Sequence, residues 1–427
     1  MSIIQFVVNY SIMEKFKAVR GMKDLYGEEL RKWKEIEKVC METAELFGYE
    51  EIRTPIVEFS ELFERSVGES TDIVEKEMYN FVDKKGRKLA LRPEGTASIV
   101  RAYLERNLYQ ERKIARFYYY GPMFRYDRPQ KGRYRQFYQF GIEILGGSHP
   151  FFDGESVYLL FQILKNLNIK NICFEINSIG CSECKRKFSS LLREYLEKYK
   201  NQLCSDCQRR MEKNILRVFD CKQERCREII KESPKILDTL CDGCKNHFEK
   251  FKQYLEFSSI PYKINPHLVR GLDYYTKTVY EVFAEDEKNA IGGGGRYDEL
   301  VEQLGGPKIP AVGFALGMER VSEIYRISER KKSSIYGIFL GEEAKKEGMK
   351  ICEKLRKEGF VIKIDYEDRS LKNYLKIADR EGEEWCIIMG EDEIKNNKVI
   401  LKDMKSSQQY TLSYQNIVEE VKRIIKC

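Results

Sequence analysis

No apolar run in this 427-residue chain approaches the ~20 residues that a membrane-spanning helix needs. The first twelve residues, MSIIQFVVNYSI, lack the basic start and small-residue cleavage site of a secretory leader. They read as an extension, or as an upstream start with Met13 the functional one. There are no internal repeats and no low-complexity tracts. Without a leader, the thirteen cysteines read as reduced thiols or metal ligands in the cytosol rather than disulfides. What is present fits a soluble globular protein of two or three domains, with 42% hydrophobic and 33% charged residues. The net charge of +7 is a modest excess that suits a polyanionic partner without requiring one.

The stretch around which the rest is organised is residues 116–145, RFYYYGPMFRYDRPQKGRYRQFYQFGIEIL. Both ends are rich in aromatic and β-branched residues and predict strands. The basic loop between them, residues 126–133, holds the turn residues Pro129 and Gly132. In the second strand alternate side chains share a face. Tyr138, Phe140, Ile142 and Ile144 form an apolar face; Arg135, Gln139 and Glu143 fall on the other, with Gly141 leaving space between them. Arg125 ends the first strand beside that polar face, and its fork suits a phosphate. The pattern alone fits a pocket for a small polar molecule, and equally an amphipathic hairpin with a solvated face.

The segment GPMFRYDRPQKGRYRQF resembles motif 2 of the class II aminoacyl-tRNA synthetases, in its histidyl form. A helix over residues 28–47 (Trp33, Ile36, Cys40, Ala44, Phe47 at helical spacing) feeds a strand at residues 49–53 that runs into Pro55. This unit resembles motif 1, the dimer element of that class, though alone it is an ordinary helix–strand pair. Residues 77–91 predict a hairpin about residues 83–86. LRPEGTAS follows, with Glu94 and Thr96 where a strand gives way to a helix reaching about Glu105. Glu94 there can accept from an ammonium group or cap the helix.

Residues 171–257 open on a short strand and continue as a helical, charged, cysteine-rich insertion. Its pairs are Cys181/Cys184, Cys204/Cys207, Cys221/Cys226 and Cys241/Cys244, three of them at the C-x-x-C spacing that sets two thiolates on one tetrahedral ion. The expectation is one or two structural zinc ions; free thiols in a helical bundle are the alternative.

HLVRGLDYYTKTVYEVF, residues 267–283, resembles the histidyl-specific stretch; read alone, Arg270 could simply pair with Asp273. Gly292 to Gly295 are followed by Arg296, Tyr297 and Asp298. A run of glycines admits close backbone approach, or is a flexible turn. In the family this GGGGRYD loop lines the histidine pocket. PAVGFALGMER, residues 310–320, resembles motif 3, a strand passing into a helix. After a polar linker at residues 331–334, strands alternate with helices, with a hairpin near residues 396–397 and a last helix from Gln415. This implies a small α/β domain with a largely parallel sheet, similar to the anticodon-binding domain of the class.

The resemblance spans most of residues 13–420. It implies an α+β fold: a class II antiparallel core at residues 13–330 with flanking helices, interrupted by the insertion at 171–257, then an anticodon-binding domain at 335–427. It implies a cytoplasmic homodimer, with no membrane, that uses ATP with Mg²⁺ to join L-histidine to tRNA(His) through a histidyl-adenylate. By resemblance, Arg125 and Arg270 hold the α-phosphate and Arg320 the γ-phosphate. Glu94, Thr96 and Gln139 bind the amino end of histidine. Glu143, Tyr274 and Tyr275 surround the imidazole, with Glu143 and Tyr275 on its two nitrogens. Arg128 and Gln130 in the motif 2 loop read the extra 5′ guanosine of tRNA(His), unless the loop touches phosphates alone. The competing function is a synthetase-like regulatory subunit of ATP phosphoribosyltransferase. Such subunits lack the last domain and carry degraded ATP motifs, neither of which is the case here.

Overall fold

A computed structural model describes residues 16–68, 71–130, 132–285, 287–327, 334–365 and 367–425. The extension read at residues 1–12, Met13, Lys131 and linker residues 331–333 lie outside the described residues. The chain divides into two compact units, Met1–Arg326 and Ile327–Cys427.

The strands of the first unit are, in chain order, β1 (Glu50–Glu51), β2 (Val57–Phe59), β3 (Tyr79–Val82), β4 (Lys88–Leu91), β5 (Ala115–Phe124), β6 (Gln136–Leu145), β7 (Cys173–Ser178), β8 (Tyr262–Ile264), β9 (Thr276–Phe283), β10 (Gly292–Arg296) and β11 (Ala311–Gly317). Eight form one sheet in the order β1-β5-β6-β11-β10-β9-β7-β8, and β2, β4 and β3 form a second. From β5 through to β7 every neighbouring pair of the large sheet is antiparallel. Only its two edges, β1 on β5 and β8 on β7, are parallel. The first strand is shorter than the five residues expected, two residues before the chain turns toward Pro55.

The β5–β6 hairpin runs in register from Ala115 opposite Leu145 to Phe124 opposite Gln136. Strict alternation then separates its faces. Phe140, Ile142 and Ile144 are buried beneath the helices Gly27–Leu46, Pro150–Asn166 and Asp242–Phe257. The first of these helices presents Trp33, Ile36, Cys40 and Ala44, the stripe its spacing predicted. The second starts where Pro150 presets the first turn and the His149 ring accepts from the Phe151 N–H at 3.2 Å. The opposite face of the sheet lies against the cysteine-bearing helices Ser182–Glu197, Ser205–Lys213 and Glu224–Lys231. There Phe188, Leu192 and Leu196 share a core with Tyr119, Tyr274 and Tyr275. β7, which opens the predicted insertion, pairs with β9 in the large sheet, and the helix that closes it packs in the first core.

The four glycines form neither a turn nor a loop: they are β10, an inner strand between β9 and β11. A β-carbon on Gly294 would stand 2.0 Å from the Gly313 carbonyl oxygen, so this part of the ladder closes only without side chains. β10 ends at Arg296, fully buried, which donates to Asp153 from Nε at 3.1 Å and also from Nη2. His247 meets the same carboxylate at 3.2 Å. Three elements are thereby tied around one carboxylate. Burial pushes the Asp153 carboxyl up, but Arg296 and His247 together outweigh it and hold the group below the usual range.

In the second unit β12 (Ser334–Phe339), β13 (Val361–Ile364), β14 (Trp385–Met389), β15 (Lys398–Asp403) and β16 (Gln409–Ser413) form a sheet in the order β13-β12-β14-β15-β16. Three corrections follow. The sheet is mixed rather than largely parallel: β13, β12 and β14 are parallel, but β15 and β16 run antiparallel to their neighbours. Asn396 and Asn397 do not form a hairpin. They end the short helix Glu391–Lys395, Asn397 with φ of 50°, and the hairpin turn lies between β15 and β16. An asparagine tolerating left-handed backbone serves a helix end as well as a hairpin. Ser334 is not linker; it is buried in β12 and donates to Glu383.

Replacing Arg296 with methionine leaves Asp153 buried with only His247. The expected loss is about 3–5 kcal/mol of stability in the first unit, read from its urea unfolding transition; a loss under about 1 kcal/mol would contradict the assigned role.

Candidate active site and cysteine clusters

One cavity of ≈ 690 Å³ opens on the β5–β6–β11–β10 face of the sheet. Eight of the histidine- and ATP-site residues predicted from sequence line it: Glu94, Thr96, Arg125, Gln139, Arg270, Tyr274, Tyr275 and Arg320, as do Cys204 and Cys221 of the cysteine pairs. Glu143 is buried behind this lining, bonded to the lining residues Thr96 and Tyr297. Opposite Glu143 in the ladder stands Gly313, where a β-carbon would come within 2.0 Å of the carboxylate. Arg128 and Gln130 do not line the cavity; both are exposed in the loop between β5 and β6, where Gln130 and Arg133 exchange backbone hydrogen bonds. Arg135, read on the pocket face, precedes β6 and instead sits over the Tyr126 ring at 3.8 Å and donates to the Asp127 carbonyl.

At one end the groups suit an amino acid. Glu94 precedes the helix Thr96–Glu105, and its two oxygens accept from the Thr96 and Ala97 N–H groups at 2.7 and 2.8 Å. The capping reading therefore holds, and each oxygen keeps a lone pair for a ligand. Thr96 donates its hydroxyl to Glu143 at 2.6 Å, and Tyr297 donates to the other Glu143 oxygen. Burial pushes the Glu143 carboxyl up to about 8 and raises Glu94 as well. Burial likewise raises the Tyr274 and Tyr275 hydroxyls. The buried Tyr119 Oη and Gln139 Oε1 have no hydrogen-bond partner among the described residues, although both residues line the cavity. Buried polar atoms are rarely left so unless a ligand or water completes them.

At the other end three guanidiniums gather. Arg125 follows β5, donates to the Pro93 carbonyl at 2.8 Å and lies over the Phe137 ring. Arg270 pairs with Glu281 of β9, not with Asp273, and its Nε is unpartnered. Asp273 pairs instead with Arg217 of the cysteine-rich segment at 3.1 Å. Arg320 follows β11 in the helix Met318–Ile324 and donates to the Ala290 carbonyl. Burial lowers Arg125, while at Arg270 burial is outweighed by Glu281 together with Tyr275 and Tyr274, which raise it. Sequence reasoning gave no role to Tyr119, Glu281 or Arg217, and named Tyr297 only within the GGGGRYD stretch, of which Gly292, Gly293 and Tyr297 line the cavity. Tyr119 was within reach, since its alternation on β5 places it on the Glu143 face; nothing local marks Arg217.

The eight cysteines meet as two sets, Cys181, Cys184, Cys241 and Cys244 in one, Cys204, Cys207, Cys221 and Cys226 in the other. Within each, all sulfurs lie within 4.8 Å of one another. Four sulfurs at ~2.3 Å from a tetrahedral ion stand about 3.8 Å apart, against 3.6 Å for Cys181–Cys184 and 3.8 Å for Cys204–Cys221. Against the upward push of burial, the backbone N–H of Cys184 and that of Cys207 hold the Cys181 and Cys204 thiols below their usual range. Both sets therefore fit a tetrahedral soft metal ion.

An antiparallel sheet carrying an amino-acid end and a three-arginine end in one cavity is the catalytic core of a class II aminoacyl-tRNA synthetase. The sequence profile described as "Histidyl-tRNA synthetase" matches residues 21–321, and that of an "Anticodon binding domain" matches residues 334–424. The chain is 49% identical over 414 residues to the histidine–tRNA ligase of Thermodesulfovibrio yellowstonii, covering 96% of this chain and 99% of that protein. It is 44% identical over 416 residues to that of Halothermothrix orenii, with 96% and 99% covered. The solved structure of apo S. aureus histidyl-tRNA synthetase superposes with a TM-score of 0.79 at 34% identity, over 95% of this chain and 99% of that one. The chain belongs to the histidyl-tRNA synthetase family.

Glu143 keeps its proton to about pH 8 when folded, against 4.5 for the ordinary group. The folded state thus binds more protons than the unfolded one across that window, and stability falls as pH rises through it. Thermal unfolding of Glu143→Gln and the parent without ligand, compared between pH 5 and 9, should show the variant gaining relative stability with pH. A pH-independent difference would contradict this.

Proposed function

We propose that the cavity takes L-histidine at its Glu94–Tyr275 end and ATP with Mg²⁺ at its arginine end. The activity, given by family membership, is the ligation of histidine to tRNA. A histidine carboxylate oxygen attacks the α-phosphorus of ATP; the new P–O bond gives histidyl-adenylate, and pyrophosphate leaves with the broken bond's oxygen. A terminal ribose hydroxyl of tRNA then attacks the acyl carbon and AMP leaves. The first step gathers charge on one phosphorus, so catalysis rests on positioning and electrostatic stabilisation.

Arg125 and Arg270 hold the α-phosphate from two sides and Arg320 takes the γ-phosphate. Glu94, Thr96 and Gln139 receive the amino end. Glu143 and Tyr275 engage the imidazole nitrogens beside Tyr274, so an amino acid lacking those nitrogens leaves buried groups unpaired and is rejected. The observation that carries this reading is that arginines from three distant stretches line one cavity whose wall also holds Tyr119 and Gln139 atoms unpartnered among the described residues. The same three arginines, with the second unit, disfavour a regulatory subunit that only binds histidine. By family the protein is a cytoplasmic homodimer, with the helix Gly27–Leu46 and β1 as dimer elements. Among the described residues no helix is long and apolar enough to cross a membrane. Arg128 and Gln130 read the extra 5′ guanosine of tRNA(His), and each four-cysteine set holds one structural zinc ion.

Glu143→Ala should abolish histidine-dependent ATP–pyrophosphate exchange with ATP binding nearly intact; unchanged exchange refutes the assignment. Arg125→Ala should lower the exchange rate on the order of 10²–10³-fold. Arg128→Ala should narrow the charging difference between tRNA with and without the extra nucleotide. Protein purified without chelator should hold two zinc ions per chain, and a content near zero overturns that reading.

A further inference from the structure

The two cysteine sets differ in what lies between their halves. The Cys204/Cys207 and Cys221/Cys226 pairs enclose residues 208–220, which end in a single 3-10 segment, Ile215–Asp220. That segment grips the stretch carrying Arg270 at two points. Arg217 donates to the Arg270 carbonyl at 3.0 Å and to Asp273 at 3.1 Å. Phe219 stacks on the His267 ring, centroids 5.3 Å apart and planes at 24°. Cys221 bonds back into the segment, its N–H donating to the Val218 carbonyl at 3.0 Å. A second tether runs to the far wall, through Arg210 to Asp72 at 3.5 Å and Lys213 to Glu75 at 2.5 Å. Ile215 and Val218 seat the segment in the core, but so short a 3-10 segment has little stability of its own; the closed set of thiolates on an ion would fix its ends. The other set begins the sixteen-residue helix Ser182–Glu197, seated in the same core by Phe188, Leu192 and Leu196, whose Lys185 donates to the Tyr275 carbonyl and not to the backbone of Arg270.

We propose that a metal ion on Cys204, Cys207, Cys221 and Cys226 governs the first catalytic step, by fixing Arg217 as the positioning residue for Arg270. The inference rests on the functional reading above and adds to it a metal whose effect is felt at the phosphate end of the cavity. Arg217 lines the cavity and sets the backbone from which Arg270 reaches. Loss of the ion therefore lowers turnover and leaves Glu143, Gln139 and residues 94–96 of the histidine end in place, while Tyr274 and Tyr275 share the stretch that Arg217 holds.

The test is a double-mutant cycle in the full-length chain, read by metal content and by ATP–pyrophosphate exchange. Arg217→Met should retain both metal ions while kcat falls at least tenfold, a larger factor than any rise in KM for histidine; Arg217→Lys should recover part of it. Cys226→Ser should lose one ion and lower kcat similarly, and the double variant should fall no further than the lower single. Cys241→Ser should lose the other ion with at least a tenfold smaller effect on kcat. Parent-like kcat in Arg217→Met, or in Cys226→Ser lacking one ion, overturns the proposal. So does a rise in histidine KM without change in kcat. If Cys226→Ser does not fold, the two Arg217 variants decide alone. No exchange in the parent chain would overturn the functional reading itself, and no bound metal the metal reading, so the three failures are distinguishable.

Discussion

Three guanidiniums held around one cavity repel one another until a polyphosphate arrives, and the rest of the first unit is arranged to bear that repulsion. Arg270 is met by Glu281 from the neighbouring strand, Arg125 is anchored to the Pro93 carbonyl and lies over Phe137, and Arg320 donates to the Ala290 carbonyl. Each arginine thus has one fixed protein partner and free donor capacity beyond it. A phosphate entering there would replace repulsion with charge-assisted hydrogen bonds and need reorganise little, which is the condition for electrostatic catalysis.

The amino-acid end solves the opposite problem. Glu143 is buried where a carboxylate is disfavoured, and two hydroxyls, of Thr96 and Tyr297, donate to it. Its raised pKa shows burial prevailing over those hydrogen bonds in the ligand-free cavity. The absence of a β-carbon at Gly313 leaves the space that the carboxylate occupies, since one there would stand 2.0 Å from its Oε2. Selectivity and fold are inseparable at these positions.

Much of this was legible in the sequence because strand alternation fixes faces. Phe140, Ile142 and Ile144 on one side, Gln139 and Glu143 on the other, follow from period two alone, and the structure puts them so, with Gln139 half-buried and the rest buried. The capping of the helix Thr96–Glu105 by Glu94 followed from its place before the first turn. Long-range partners were not legible. Arg270 and Asp273 are three apart, yet each pairs elsewhere, with Glu281 and Arg217, because the turn between them sends their side chains to different neighbours. The glycine run looked like a loop because local propensity disfavours strand there; the demand of two flanking strands for close approach overrode it. Asn396 and Asn397 misled for a related reason, since left-handed backbone closes helices and hairpins alike. Cysteine spacing announced metal chemistry, but only the fold could say which pair meets which.

The glycine strand also bears on any attempt to retrain the pocket for an unnatural amino acid. A wall made of backbone offers a protein engineer no side chain to exchange. Diversity would have to be introduced on β5, β6 and the tyrosines at 274, 275 and 297, while residues 292–295 stay untouched in every library.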